Sequence, residues 1–242
     1  VAFVLAVMTM IYSLYGGLQN GFGTFNGWGR LISNALLLIQ FPLIHSLLLG
    51  PSKRSLLDHC APRKIARQLQ PTTYVLIASV QLLAVFFLWS PSREIVWEAT
   101  GALLVMHVSL FILAWVLLGK SMYDAHLGIQ TGYIGWLTVW RNEPRIRWPK
   151  LPTTGLFRVC RQPIYFSFML TLWTGPVWTW DKFFMASIWT AYCYWGPELK
   201  EQRLARSYGE EFEAYRARVP YWPAIQTGAP VRSPAHPRAD NR

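Results

Sequence analysis

Charge is scarce in this chain: only 14% of its 242 residues are Asp, Glu, Lys or Arg, while 52% are hydrophobic. Acidic residues are scarcest, 12 against 23 basic ones, and the charges are bunched between long uncharged runs. That distribution argues against an ordinary soluble domain and for a bilayer as solvent. There are three cysteines, Cys60, Cys160 and Cys193, with no CxxC pair, so a disulfide framework or a cysteine metal knuckle is not expected. The five histidines, at 45, 59, 107, 126 and 236, show no metal-ligand spacing, and no metal site is expected. The glycine-rich loop 19–29 contains Gly21-Phe-Gly23 but lacks the third glycine and the preceding strand of a dinucleotide loop. A phosphate loop, a Ser-His-Asp system and paired intramembrane carboxylates are also missing.

What the chain does have is length without charge. Uncharged stretches cover 1–29, 31–52, 68–92, 99–119, 162–180 and 183–197. A helix rising about 1.5 Å per residue needs about 20 apolar residues to cross a hydrocarbon core about 30 Å thick. The spacing predicts an all-α integral membrane fold, with spans near 1–18, 31–49, 72–90, 99–119, 164–180 and 183–196. The last two form a hairpin, of which the shorter limb either tilts or fails to cross fully. The first run lacks a basic n-region and leads into a second apolar run, so it reads as a span and not a signal peptide. Beyond Pro197, Leu204, Tyr208, Phe212, Tyr215 and Val219 recur every three or four residues, predicting an amphipathic cytoplasmic helix over 198–219. The whole of 1–225 reads as one membrane domain, and the polar, proline-containing 226–242 as a disordered tail.

The net charge of +11 would suggest nucleic acid in a soluble protein. Here 20 of the 23 basic residues fall in 50–70, in 120–161 and from 200 onward, leaving Arg30, Arg93 and Lys182 for the alternate loops. The positive-inside rule then puts both termini and the long basic loops in the cytoplasm, which needs an even number of crossings: six, or four plus a re-entrant hairpin. The partner implied is the lipid bilayer, not nucleic acid. The segment 141–157, with Pro144, Pro149 and Pro152, cannot be a regular helix and is expected to lie over the cytoplasmic mouth.

Polar groups inside spans are expensive. His45 and His107, with Asn34, Gln40 and Gln81, read first as interhelical hydrogen-bonding groups, and as substrate contacts on a second reading. Chemistry is expected at the cytoplasmic face, where two clusters lie at the ends of the hairpin. One runs from Gly155 through Arg158, Arg161, Gln162 and Pro163 to Tyr165; the other from Glu198 through Lys200, Glu201 and Arg203 to Leu204.

Together these clusters resemble the isoprenylcysteine carboxyl methyltransferase superfamily of membrane methyltransferases. Gly155, Arg158, Arg161, Pro163 and Tyr165, then Glu201, Leu204, Tyr208-Gly209, Phe212, Tyr215 and Val219-Pro220 fall where that family's two motifs place them. The likeness covers roughly the last 120 residues well. Phe41-Pro-Leu-Ile-His45-Ser46-Leu47, Thr73-Tyr74-Val75-Leu76 and Trp173-Thr-Gly-Pro176 look like the bacterial branch that includes methanethiol S-methyltransferases.

The resemblance implies S-adenosylmethionine as methyl donor and a small thiol such as methanethiol as acceptor, at a bacterial cytoplasmic membrane. Carboxyl methylation of a prenylcysteine, N-methylation of an amino-lipid, or a non-catalytic protein that kept the fold are the alternatives. It implies Gly155, Gln162, Pro163, Tyr165, Lys200 and Glu201 near the cofactor, Arg158, Arg161 and Glu201 in catalysis, and His45, His107 and Trp173 near the acceptor. Two positions depart from the pattern: Gln162 replaces a histidine and Lys200 a glutamate. A Gln amide still donates a hydrogen bond, and Lys200 could pair with the donor's carboxylate. Arg158 and Arg161 are also readable as positive-inside anchors, Glu201 as a partner of Arg203 or Arg206 on a solvated face, and Trp173 as an interfacial belt residue.

Overall fold

The computed structural model describes residues 1–49 and 54–223. The expected tail 226–242 lies outside them. The described chain is mostly helical: α1 (Ala2–Tyr15), α2 (Gly27–Leu48), α3 (Arg54–Asp58), α4 (Ala66–Phe87), α5 (Gly101–Asp124), α6 (Leu127–Gln130), α7 (Tyr133–Trp140), α8 (Pro163–Trp173), α9 (Trp180–Tyr208) and α10 (Glu210–Arg218). Among them α2, α4 and α5 are long and apolar enough to cross a membrane, and α1 and α8 are shorter apolar helices.

Large side chains such as Leu36, Ile39, Val80, Val105, Ile112 and Val116 stand exposed on these long helices. That outward apolar surface is what lipid contact requires and what water would penalise. The buried face is separate from it. Leu14, Leu38, Phe86, Leu172, Met185 and Trp189 are among the residues that form one core between α1, α2, α4, α8 and α9. Polar groups tie the helices at points inside it. Gln81 Nε2 donates to Gln40 Oε1 at 2.7 Å, and Trp189 Nε1 to the Leu38 carbonyl at 3.2 Å. Asn34 pairs with the Ser90 backbone in both directions, at 2.9 and 3.0 Å.

At one end, three connections pack on one another. Strand β1 (Ile95–Glu98) pairs antiparallel with β2 (Val177–Thr179). Thr179 Oγ1 donates to the Gly17 carbonyl at 2.6 Å, and Phe22 and Gly23 donate their N–H groups to Phe87 and Trp89. Gly21 and Gly23 serve this approach: a Cβ on Gly21 would stand 2.1 Å from the Trp89 carbonyl oxygen. Lys182 is buried here, its Nζ donating to the Thr174 carbonyl at 2.7 Å over the Trp178 ring. At the opposite end gather α3, α6, α7, the loop 141–162 and α10, joined by Gln68 to the Glu143 carbonyl and Thr72 to the Gly132 carbonyl.

Three features differ from expectation. The strand pair is not expected: Val177–Thr179 falls inside the span expected over 164–180, and nothing is expected of Ile95–Glu98. Helix α7 arises within a stretch expected only as part of a long basic loop. The boundary expected at Pro197 does not end a helix: α9 runs through it to Tyr208, and the chain turns at Gly209 (φ +50°) before α10. Pro197 removes one backbone hydrogen bond, a loss that packing on both sides of it outweighs.

Candidate active site

The site is built where the loop before α8 meets the end of α9. Gly155 opens a 3-10 turn, Gly155–Arg158, at φ +60°. Its missing side chain makes room for Asp124 at the end of α5, since a Cβ there would lie 2.2 Å from Asp124 Oδ2. That carboxylate accepts the Leu156 N–H at 2.9 Å and pairs with Lys120. The turn is thereby pinned to α5, and the chain leaves it through the buried Cys160 to Arg161, Gln162 and Pro163, the first residue of α8. Burial pushes the Cys160 thiol up, so it is a poor nucleophile.

Arg161 is the hub. Its Nε donates to Glu201 Oε1 at 2.8 Å and a terminal nitrogen to Glu201 Oε2 at 3.3 Å. Its other terminal nitrogen donates to the carbonyls of Val219, at 2.6 Å, and Arg216, at 3.2 Å, and its backbone N–H bonds the Pro220 carbonyl at 2.9 Å. One guanidinium therefore clamps α9 and the segment after α10 onto the start of α8, a use for which its planar fork is suited. Gln162, 1% exposed, continues the network: Nε2 donates to Glu201 Oε1 at 2.8 Å, and Oε1 accepts from Lys200 Nζ at 3.2 Å. The amide links a carboxylate on one side to an ammonium on the other, which a glutamine can do because it both donates and accepts. Lys200 Nζ also lies 5.6 Å from the Phe157 ring centre and 5.7 Å from that of Tyr165. Burial pushes Lys200 down to about 8, against the attraction of Glu201.

This network forms one end of a cavity of about 540 Å³. Arg161, Gln162, Lys200 and Glu201, joined by hydrogen bonds, line its polar end, Tyr74, Tyr165, Tyr192, Phe41, Phe168 and His45 line the apolar part between α2, α4, α8 and α9, and Arg203 also lies on the wall. The volume is in the range of small-molecule sites, about 300–1,000 Å³, and the mix of apolar wall with few convergent polar groups is typical of them. Lys200 Nζ makes a single hydrogen bond to a side chain, leaving donors for an anionic ligand group, and the tyrosine rings can face a cation.

The structure sorts the residues singled out by sequence. Arg161, Gln162, Tyr165, Lys200, Glu201 and His45 line the cavity. Gly155 and Pro163 are not on its wall; they shape the loop and the helix start. Arg158 is exposed at the end of the 3-10 turn and off the wall. His107 Nδ1 lies 3.2 Å from the Gly175 carbonyl and its ring packs on Trp97, while Trp173 donates to Thr190 Oγ1 at 2.8 Å. Both therefore belong to the strand-pair end, away from Lys200 and Glu201.

Glu201 is not held by Arg203 or Arg206 on a solvated face: it is 8% exposed and held by Arg161 and Gln162, with Arg216 at 4.0 Å. Arg203, read as a face residue, is on the cavity wall instead. Its i, i+3 relation to Lys200 was the available signal. Among the described residues no group of three or more His, Cys, Asp or Glu side chains is placed to hold a metal.

No protein-family model and no solved structure matches the chain. Curated relatives do. Methanethiol S-methyltransferase 1 of Bradyrhizobium diazoefficiens is 28% identical over 190 residues, 78% of this chain and 65% of that protein. The methanethiol S-methyltransferase of Crocosphaera subtropica is 28% identical over 163 residues, covering 65% of this chain and 62% of its own. That of Mycobacterium tuberculosis is 26% identical over 205 residues, 81% of this chain and 80% of its own. The chain thus spans slightly under two thirds of the first two relatives. This likeness runs over most of the chain, and what the chain is similar to throughout is the methanethiol S-methyltransferases.

Proposed function

We propose that the chain is an S-adenosylmethionine-dependent methyltransferase of the bacterial cytoplasmic membrane that S-methylates a small thiol such as methanethiol. The observation that carries this is the Arg161–Glu201–Gln162–Lys200 network at the polar end of a cavity that continues into the apolar body. Bound there, S-adenosylmethionine would supply an electrophilic methyl group on a sulfonium. Lys200 would hold its carboxylate, and Tyr165 with its aromatic neighbours would face the sulfonium charge at about 0.5–2 kcal/mol.

Glu201 plays a positioning part. Oε1 already accepts two hydrogen bonds and Oε2 one, so at most one lone pair remains for a donor hydroxyl or amine. Arg161 likewise has four of its five N–H donors committed, and we assign it to closing the site and not to touching the reacting sulfur. Wall residues that orient the two reactants and exclude water supply proximity and desolvation.

We propose further that six helices cross, α1, α2, α4, α5, α8 and the first part of α9, with both ends of the chain in the cytoplasm. The gathering of alternate connections at opposite ends supports this, as does the basic content of the Lys200 end. The domain is read as 1–225 in one piece.

The test is calorimetric binding of S-adenosylmethionine to detergent-purified protein, followed by gas chromatography for a methylated thiol. Saturable binding with dimethyl sulfide formed from methanethiol is the expected result. A second reading, a lipophilic acceptor such as a prenylcysteine or amino-lipid, is favoured by one observation: the cavity wall reaches Phe3, Ala6 and Val7 on α1. Donor binding with methyl transfer only to such lipids would select it. Folded protein that binds no donor would be a non-catalytic member.

A further inference from the structure

We propose that His45 and Arg203 form the acceptor half of the cavity, where a small alkanethiol gives its proton to the His45 ring while its developing thiolate faces the Arg203 guanidinium. This rests on the thiol-methyltransferase reading above. His45 lines the cavity from α2, held between the rings of Phe41, at 5.3 Å, and Tyr74, at 5.1 Å. Its Nδ1 is sealed from solvent with no hydrogen-bond partner in the structure. A ring so packed is fixed in direction, yet its Nδ1 has no partner, unlike that of His107, which is taken up by the Gly175 carbonyl. Arg203 lines the same cavity from α9 and has no carboxylate within ion-pair distance among the described residues.

The other cations are accounted for. The guanidinium of Arg161 is committed to Glu201 and two backbone carbonyls, Arg158 is exposed and off the cavity wall, and Lys200 sits beside Gln162 at the donor end. An unpaired guanidinium facing an apolar pocket favours an anion there, and a thiolate is the reactive form of a thiol.

The step balances as follows. The thiol proton moves to a His45 ring nitrogen as the sulfur lone pair forms the new S–C bond to the sulfonium methyl group. The old C–S⁺ bond breaks, its electron pair returning to that sulfur, so two neutral thioethers result. The imidazolium then releases its proton to water. Because proton transfer accompanies bond formation, no free imidazolium beside Arg203 has to accumulate.

The test compares acceptors of different acidity. Methanethiol needs a base at neutral pH; pentafluorothiophenol is already ionised. In His45→Gln, kcat/KM for methanethiol should fall about 100-fold, the low end for general-base catalysis, and for the arylthiol less than about 3-fold. Calorimetric S-adenosylmethionine affinity should stay within about 2-fold, which also reports that the variant is folded. Arg203→Met should lower kcat/KM for both thiols about 10-fold at unchanged donor affinity.

Equal losses for the two thiols in His45→Gln, or no loss, would overturn the proposal. So would an Arg203→Met variant whose defect is in donor binding. If His45→Gln does not fold, the wild-type rate across a series of thiols decides: weak dependence on thiol acidity supports a resident base, and a dependence as steep as the uncatalysed reaction's sinks it. Wild type that binds donor yet methylates neither thiol removes the acceptor assignment; wild type that binds no donor removes the methyltransferase reading with it.

Discussion

At the scale of single residues, Lys200 and Glu201 divide the work of the polar end. With its ammonium pushed down to about 8, Lys200 is charged at neutral pH and loses its charge as pH rises through that value. Donor affinity measured by calorimetry should therefore decline above about pH 8, and the decline should vanish in Lys200→Arg, whose charge persists. The linked effect on folding has the opposite sense. A folded-state value below the unfolded one means the unfolded chain binds the proton more tightly, so stability should rise between about pH 8 and the ordinary lysine value near 10.4. Glu201→Gln should cost about 1.5–3 kcal/mol of stability through its charged hydrogen bonds to Arg161, seen as a lowered unfolding midpoint in detergent. Donor affinity should weaken as a consequence of the loosened clamp. Unchanged stability would mean that Arg161 is held by the backbone carbonyls alone.

At the scale of elements, what was legible in the sequence followed from run length. The uncharged stretches overlap α1, α2, α4, α5, α8 and the first part of α9, because a long helix of this kind is specified by apolarity over a length, but the run 164–180 overshoots the end of α8 at Trp173, and α4 starts at Ala66, ahead of the expected 72. The strand pair was not legible: four and three residues carry too little pattern, and Trp97 and Trp178 read equally well as interfacial aromatics. Pro197 misled in the other direction, since α9 is fixed on one side of it by the Trp189 core and on the other by Glu201. The motif residues on the cavity wall were legible only through resemblance. Arg203 escaped because its meaning depends on which way α9 faces, and Gly155 had a packing reason that only the position of Asp124 reveals. Gly155→Ala should therefore destabilise the loop by more than a helix propensity change, about 1–3 kcal/mol, through strain at φ +60° and the clash with Asp124. Thermal unfolding of the variant beside Asp124→Asn checks this. If the two losses simply add in the double variant, the contact is not the cause.

At the scale of the molecule, the chain has two unlike ends, a strand-pair end and the end where Lys200 and Glu201 line the cavity. Cys60 is exposed while Cys160 and Cys193 are buried, so it is a single reporter of sidedness. A membrane-impermeant maleimide should label Cys60 in inside-out vesicles and leave it unmodified in right-side-out ones; the reverse pattern would invert the proposed topology. The feature with the widest reach is the continuity of α9 from Trp180 to Tyr208. Trp189, Lys200, Glu201 and Arg203 share one rigid axis, so their angular settings are a single variable. Inserting one alanine after Cys193 would turn everything beyond it by about 100°. That would withdraw the ammonium, the carboxylate and the guanidinium from the cavity together, although no side chain had been altered. Point substitution can graduate the activity of such a machine; an indel in this helix can only switch it off, and drift in the gene should accept the first far more readily than the second.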